Sequence, residues 1–231
     1  MVVGLFQSCS QTIYTPSAQV IPVIENKGDL QVGIDISSES PAITLSAIGF
    51  LADSRVRLNY APTDKLRLYA ESSTSFYAIE RRVHSRLGIG YLSKNQTGRF
   101  FQIFGLAGLG RINLDGLLTF SSQEESLIGR YSQLAIQPMF GVIKKKSNVA
   151  FTSTVKRLQY FELSDIEREG LALYIIEPTI SFSTKGKDLS FDFEYGYSIN
   201  LGLENNNTHF VSAGFSYTLS TAAEPKEITE H

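Results

Sequence analysis

Asp192 and Glu194 are the two carboxylates whose spacing could support chemistry in this sequence. They lie two positions apart in DLSFDFEYGYSI, the segment from 188 to 199. Residues two apart in a β-strand project from the same face, so the two carboxyl groups could share acid–base work. The same pair could instead provide counter-charges for arginines. We favour the counter-charge interpretation, because arginines occupy equivalent alternating positions elsewhere in the chain.

The remaining charged residues on alternating positions carry both signs, which predicts ion pairing inside a closed structure. The predicted lumen charge network consists of Arg55, Arg57, Arg67, Glu71, Arg86, Glu177, Asp192 and Glu194. The three histidines are scattered along the chain, which argues against a metal site. The sequence has no glycine-rich phosphate loop, HExxH motif or nucleophile elbow. It therefore predicts no catalytic residues, no metal and no cofactor.

The segment 188–199 sets the pattern for the elements that would position these charges. Every second residue is apolar or aromatic, and the residues between are small or acidic. This alternation predicts a long strand with one apolar face. Similar segments predict ten strands, at 29–37, 54–61, 65–74, 82–93, 99–111, 130–143, 148–158, 171–184, 188–199 and 208–219. We therefore predict an all-β fold, a single antiparallel up-and-down transmembrane β-barrel over residues 29–219.

Three features of these strands leave the pattern incomplete. Segment 99–111 is apolar on both faces, so the sequence does not show which face points into the barrel. The segment is also rich in glycine, and its glycines could allow bending or close packing of large lumen side chains. Segment 38–53 could extend a strand, fold into the barrel mouth or form a short helix. Pro138 and Pro178 lack the N–H that a closed ladder uses, so we expect each at a β-bulge.

Alternation alone does not decide which face points inward. A soluble, secreted lipocalin-like barrel would enclose an apolar ligand with the apolar face, whereas a membrane barrel would turn that face to lipid. The predicted strands are long enough to cross a bilayer, and short connections alternate with long ones. We therefore predict a membrane barrel with both termini in the periplasm. Ten strands leave a lumen only slightly wider than side chains can fill, so we expect a plugged interior.

Composition sets wider limits on function. The chain has 231 residues, 42% of them hydrophobic, and a net charge of −2. That balance argues against a nucleic-acid partner held by excess basic charge. No run approaches the roughly 20 consecutive apolar residues that a spanning helix needs. A length of 231 residues is compatible with one all-β domain.

Cys9 follows a short apolar stretch, MVVGLFQS, that ends in a small residue. This arrangement predicts a truncated lipoprotein signal over 1–9, with Cys9 as the lipidation candidate. The alternative is an ordinary thiol near a loose terminus. Residues 10–28 contain prolines and a glycine and are predicted to form an extended leader, and 220–231 a polar tail.

Several short motifs resemble a group of small outer-membrane β-barrel lipoproteins from Bacteroidetes. They are the Cys9-Ser10 start with YTPSAQVIPVIENKGDLQ, then LNYAPTDKLRLYA, AIQPMFG at 135–141 and IIEPTISF at 175–182. The resemblance covers most of the chain in order. It implies an outer-membrane location and a barrel fold, and it carries no catalytic or binding residues.

The sequence thus predicts a non-enzymatic outer-membrane barrel of a Gram-negative bacterium, of structural, accessory or narrow-channel type. Its expected partners are outer-membrane lipid and, in an outer-membrane complex, other proteins. The soluble ligand-binding barrel is the first alternative. The second is an outer-membrane lipid-modifying enzyme, which would require polar catalytic groups clustered at one rim.

Overall fold

A computed structural model describes residues 23–40, 52–76, 80–114, 127–163, 172–186, 188–201 and 207–220. Ten strands occupy almost all of these residues. They are β1 (Leu30–Ser40), β2 (Ala52–Tyr60), β3 (Leu66–Phe76), β4 (Glu80–Lys94), β5 (Arg99–Leu114), β6 (Leu127–Ile143), β7 (Ser147–Leu163), β8 (Ala172–Thr184), β9 (Leu189–Asn200) and β10 (Thr208–Leu219). No helix among the described residues is long and apolar enough to cross a membrane.

The strands form a closed antiparallel barrel. Each strand pairs with its neighbours in chain order, and β1 pairs with β10 to complete the ring. The connections 61–65, 95–98, 144–146 and 185–188 are short, and they lie at the end of the barrel where β1 begins and β10 ends. We call this the turn end and the opposite end the loop end. The predicted all-β, up-and-down barrel of ten strands is confirmed.

The strands are steeply tilted. Cross-strand partners lead from Leu30, at the turn end of β1, around the barrel to Ile199, near the loop end of β9. A closed barrel requires such a stagger of register between its strands. With each step from β1 to β9, the cross-strand partner of a residue therefore lies nearer the loop end.

The structure assigns the two faces of β5 and the two ends of segment 38–53. In β5, Gln102, Phe104 and Leu106 point inward, so aromatic and aliphatic groups enter the lumen there. Residues 38–40 extend β1 and 52–53 belong to β2, whereas 41–51 lie outside the described residues.

The expectation of bulges at the two prolines is wrong. The register is the same on both sides of Pro138 in the β6–β7 pair and of Pro178 in the β8–β9 pair. In each pair, the residues around the proline are missing from the ladder. The register shift that β6 does contain lies between Arg130 and Tyr131. A skipped ladder contact is thus sufficient to accommodate each missing N–H.

Inward-facing glycines make room for large side chains. Within segment 99–111, a Cβ added at Gly110 would lie 2.2 Å from the Tyr131 ring, which fits the packing role predicted for the glycines of that segment. Glycines on β4 and β9 have the same role. A Cβ added at Gly90 would lie 2.6 Å from ring atoms of Phe104, and one at Gly196 would lie 2.2 Å from Phe210. Both phenylalanines are buried in the lumen. Gly105 differs, because it faces outward and an added Cβ meets nothing within 4 Å.

We expect Gly90→Ala to destabilise the barrel by about 1–3 kcal/mol, because the methyl group overpacks the buried ring of Phe104. Gly105→Ala, on the neighbouring strand, is the matched control and should change stability little. Urea unfolding of the refolded protein measures both. Equal effects of the two substitutions would contradict the packing role assigned to Gly90.

Candidate functional site

Two arginines from β2 lie at the centre of an ionic network inside the barrel. Arg55 lies 3.2 Å from Asp35 and 3.4 Å from Glu71, measured between side-chain nitrogen and oxygen atoms. A third carboxylate, that of Glu194, has an oxygen 3.6 Å from Arg55 Nη2. Arg55 thus contacts carboxylates from three strands.

Arg57 reaches across the seam where β1 meets β10. Its Nη2 atom lies 3.0 Å from Asp35 on β1 and 2.5 Å from Asp192 on β9. Small residues make this reach possible: a Cβ added at Gly33 would lie 2.4 Å from Arg57 Nε, and one at Gly214 would touch the Asp35 carboxylate. The alternation of these strands therefore places both the charges and the space for them inside.

Glu71 joins the network to the neighbouring strands. Its Oε2 atom accepts hydrogen bonds from Arg86, at 2.9 Å, and from the Tyr69 hydroxyl. The Arg86 guanidinium also lies 5.4 Å from the centroid of the Tyr69 ring. Arg55 is the third donor to the same carboxylate oxygen. One buried carboxylate is thereby held by two cations and a hydroxyl.

Six of the predicted network residues are brought together: Arg55, Arg57, Glu71, Arg86, Asp192 and Glu194. Glu177 lies inside but forms a separate pair with Lys156, at 2.7 Å. Arg67 is also buried, but it donates to the main-chain oxygens of Ile24 and Thr63 at the turn end. The structure thus places Arg67 inside the barrel but apart from the other predicted network residues, because it lies near the start of β3 at the turn end.

The sequence analysis missed Asp35 and Lys156, which both belong to these ion pairs. Each lies on the polar side of an alternating strand, so a systematic comparison of polar faces would have included them. Arg82 and Asp53, near the loop end, form another buried pair that was not predicted. The register between neighbouring strands decides which arginine contacts which carboxylate. The alternation within one strand does not predict that register.

The opposite side of the lumen is polar but mostly uncharged. Gln102, Gln137, Thr152 and Thr154 are buried on β5, β6 and β7. Within the described part of the chain, neither amide atom of Gln102 or Gln137 has a hydrogen-bond partner, and neither threonine hydroxyl does. Unpaired buried polar groups weaken a core. In the ionic half, Glu71 Oε1 and Glu194 Oε2 also lack a hydrogen-bond partner, but each of these carboxylates has an arginine within ion-pair distance.

The lumen is filled rather than open. Arg57 is 1% exposed and Glu177 and Gln137 are 0% exposed, although all three point toward the barrel axis. Nearer the turn end, the interior becomes apolar, with a buried cluster of Leu92, Phe100, Met139, Ile143 and Ala150. Water therefore has little access to the centre of the barrel.

Residues 23–29 cover part of the turn end and line one side of a pocket of about 550 Å³ there. Val23 packs against the apolar cluster, and the Ile24 carbonyl accepts two hydrogen bonds from Arg67, at 3.0 and 2.9 Å. Glu25 pairs with Lys94, at 2.6 Å, and with Lys185. Burial lowers the pKa of Lys185, which lies in the turn after β8. The leader is thus tied to the barrel by backbone and ionic contacts.

The outward surface of the barrel is apolar around its whole circumference. Phe191, Phe193 and Tyr195 of β9 are 37%, 40% and 40% exposed, while the charges between them are buried. Near the loop end, the Tyr195 hydroxyl lies 2.8 Å from His209 Nδ1 on this outer face. The structure therefore reverses the orientation that a soluble barrel with an apolar ligand cavity requires.

The arrangement supports ion pairing more than reaction chemistry. The described residues contain no group of three or more His, Cys, Asp or Glu that could hold a metal ion. Asp192, the first of the two candidate acid–base carboxylates, accepts hydrogen bonds from Ser183 and Ser216 as well as from Arg57. Cys9 lies outside the described residues.

Neither a known protein family nor a curated protein sequence matches this chain. Solved structures match its fold. The translocator domain of the autotransporter NalP from Neisseria meningitidis aligns with a TM-score of 0.52 and 7% identity, over 83% of this chain and 88% of that one. The NanC porin aligns with a TM-score of 0.46 and 12% identity, over 81% of this chain and 100% of that one. LpxR from Salmonella typhimurium aligns with a TM-score of 0.42 and 8% identity, over 81% of this chain and 99% of that one. At these identities the likeness concerns the fold alone.

We expect Arg57→Met to lower the free energy of unfolding by about 3–5 kcal/mol, because it leaves Asp35 and Asp192 buried beside a missing cation. Lys94→Met is the matched control. It removes an ion pair at the surface, where such pairs contribute roughly 0–1 kcal/mol. Urea titration of the folded protein compares the two variants. A loss for Arg57→Met no larger than the control's would show that the network does not stabilise the barrel.

Gln137→Leu should leave stability unchanged or raise it slightly. The substitution removes two buried polar atoms without a partner and keeps a side chain of similar size. The same urea titration measures the effect. A loss above about 2 kcal/mol would indicate that the Gln137 amide is hydrogen-bonded, for example to a buried water, since removing a satisfied polar group carries a penalty of that order.

Proposed function

We propose that this chain is an outer-membrane β-barrel with a plugged lumen, which acts as a structural or accessory component and not as an enzyme. The observation that carries the proposal is the distribution of polarity. Aromatic and aliphatic side chains cover the outside of a closed barrel, and at least three arginines with their carboxylates are buried inside it.

A bilayer is the solvent that suits such a surface. Monomeric soluble proteins rarely expose a continuous apolar patch above roughly 600 Å². Here exposed Ile, Leu, Val, Phe and Tyr side chains occur on all ten strands. The strands contain between 9 and 17 residues, and a tilted strand needs about 9–11 residues to cross the hydrocarbon core.

The connections support the outer membrane. Even strand number, short turns at one end and longer connections at the other are typical of bacterial outer-membrane barrels. Four of the five loop-end connections, 41–51, 115–126, 164–171 and 201–207, are longer than the turns, whereas the connection between β3 and β4, at 77–79, is short and departs from the predicted alternation. By that rule the turn end lies in the periplasm and the loop end at the cell surface.

A lipid on Cys9 would then insert near the leader. Lipidation, and membership of the Bacteroidetes lipoprotein group, remain predictions.

The filled interior supports a role other than that of an open porin. Salt-bridged side chains occupy the centre, and residues 23–29 cover part of the turn end. Asp192 and Glu194 are only 5% and 3% exposed, and the burial of both carboxylates supports a non-catalytic role. Such a rigid, closed barrel is suited to anchoring or assembly in the membrane, with long connections available to a partner at the surface.

Membrane integration is tested by co-flotation with phospholipid vesicles after a urea wash. We expect the protein to float with the vesicles, because its apolar outer surface is stable only in lipid or detergent. The protein released into the soluble fraction by the urea wash is measured as the control, because a peripherally attached protein would be found there. Recovery of a folded, soluble monomer without detergent would overturn the proposal.

Planar-bilayer recordings test the plugged lumen. We expect the inserted protein to give no stepwise conductance of the size shown by an open porin recorded in the same bilayer. The physical reason is that buried ion pairs and the apolar cluster leave no continuous water path. Stable porin-like steps from the purified protein would show that the interior is open.

A further inference from the structure

Basic residues dominate three neighbouring connections at the turn end. The connections after β4, β6 and β8, with the residues that flank them, contain seven basic residues and one acidic residue, namely Lys94, Arg99, Lys144, Lys145, Lys146, Lys185, Lys187 and Asp188. At the same end, residues 25–29 and 61–65 contain two lysines and three acidic residues. Positive charge is therefore concentrated on the part of the turn end that belongs to β4–β9.

Backbone hydrogen bonds hold these three connections against one another. The Ile143 N–H donates to the Gly98 carbonyl, at 2.8 Å, and this joins the β6–β7 turn to the β4–β5 turn. The Lys185 N–H donates to the Lys146 carbonyl, at 2.9 Å, and this joins the β8–β9 turn to the β6–β7 turn. The cations thus lie along one continuous edge. We call it the basic rim, and define it by Lys94, Arg99, Lys144, Lys145, Lys146 and Lys185.

The middle of the basic rim carries charge that no described carboxylate balances. Glu25 pairs with Lys94, at 2.6 Å, and with Lys185. Four exposed cations have no acidic partner among the residues that the structure describes: Arg99, Lys144, Lys145 and Lys146. Residues 1–22, which precede the described leader, contain no Asp, Glu, Lys or Arg. These four cations are therefore available to an anion.

A row of apolar side chains follows the basic rim on the outer face of the barrel. Phe101, Phe140, Phe151 and Ile180 are successive cross-strand partners from β5 to β8. The ring centroids of Phe101 and Phe140 lie 4.9 Å apart, and Phe140 and Phe151 are 56% and 50% exposed. Lys144 follows Phe140 by only four positions. Cationic and apolar surface thus adjoin along this part of the wall.

We propose that the basic rim binds the negatively charged headgroup of a phospholipid in the periplasmic leaflet, and that Phe140 and Phe151 contact its acyl chains. Lysine and arginine form strong, charge-assisted hydrogen bonds with phosphate. Clusters of basic residues beside a membrane attract anionic lipids, and aromatic residues mark the level at which a barrel wall leaves the hydrocarbon core. This inference rests on the proposed membrane location, which places the turn end at the periplasmic leaflet.

The wild-type protein alone provides the first test, so this test does not depend on how variants fold. Native mass spectrometry of the full-length protein in detergent compares phosphatidylglycerol with phosphatidylethanolamine of the same acyl chains. We expect phosphatidylglycerol to bind at least tenfold more tightly, because each lysine near an anionic surface contributes about fivefold and the ammonium group of the other lipid repels the rim. Equal binding would overturn the proposal, and it would follow if the three glutamates of residues 221–231 neutralised the rim.

A pair of double variants locates the site. Lys144→Gln/Lys145→Gln should weaken phosphatidylglycerol binding at least tenfold and change phosphatidylethanolamine binding little. Lys27→Gln/Lys65→Gln is the matched control, because it removes two exposed lysines from the same end of the barrel but outside the basic rim. Equal losses in the two variants would show that net charge selects the lipid, and the assignment to the basic rim would be wrong.

Glycerol phosphate distinguishes a lipid site from a site for free phosphate. It carries the same anionic group as phosphatidylglycerol but has no acyl chain to contact Phe140 and Phe151. We therefore expect it not to displace phosphatidylglycerol at equal concentration. Displacement would show that the basic rim recognises phosphate alone, and the proposed lipid site would be rejected.

Failure of this inference is distinct from failure of the proposed function. If the wild-type protein floats with vesicles but binds the two phospholipids equally, the anionic-lipid site is wrong and the membrane barrel stands. If the wild-type protein does not float with vesicles, the proposed function itself is overturned, and this inference with it.

Discussion

Buried charge must be paired, and the interior of this barrel depends on that constraint. Removing a cation such as Arg57 from water is unfavourable unless carboxylates compensate it at close range. The network satisfies this requirement with groups from five strands, β1, β2, β3, β4 and β9. Since these strands include both sides of the β1–β10 seam, the ion pairs also favour closure of the ring over an open sheet.

The same constraint explains why the outer surface is apolar. In a strand with period-two alternation, the residues between inward charges must face outward. Where arginine, carboxylate and glutamine fill the lumen, the aromatic and aliphatic residues between them therefore face outward, whereas nearer the turn end apolar residues such as Leu92 and Phe100 also face inward. The exposed residues Arg111, Arg130 and Arg157 depart from this rule near the loop end.

Two kinds of packing close the lumen, and they differ in their consequences. In the ionic half the buried carboxylates of Glu71 and Glu194 have arginines within ion-pair distance, whereas the buried amide of Gln137 has no hydrogen-bond partner at either polar atom. Near the turn end, apolar side chains and the leader residue Val23 form a dry seal. A barrel closed in this way is suited to staying in place in a membrane more than to passing solutes through it.

The sequence by itself determined the ten strands, their alternating faces and the candidate charges, because a period of two is a local property. The sides of β5 and the absence of bulges at Pro138 and Pro178 needed the structure, since neighbouring strands decide both. Only the tertiary structure decided which charges meet: Arg57 and Asp192 are 135 positions apart. They come together because ring closure and strand stagger set the register, and no local pattern records that register.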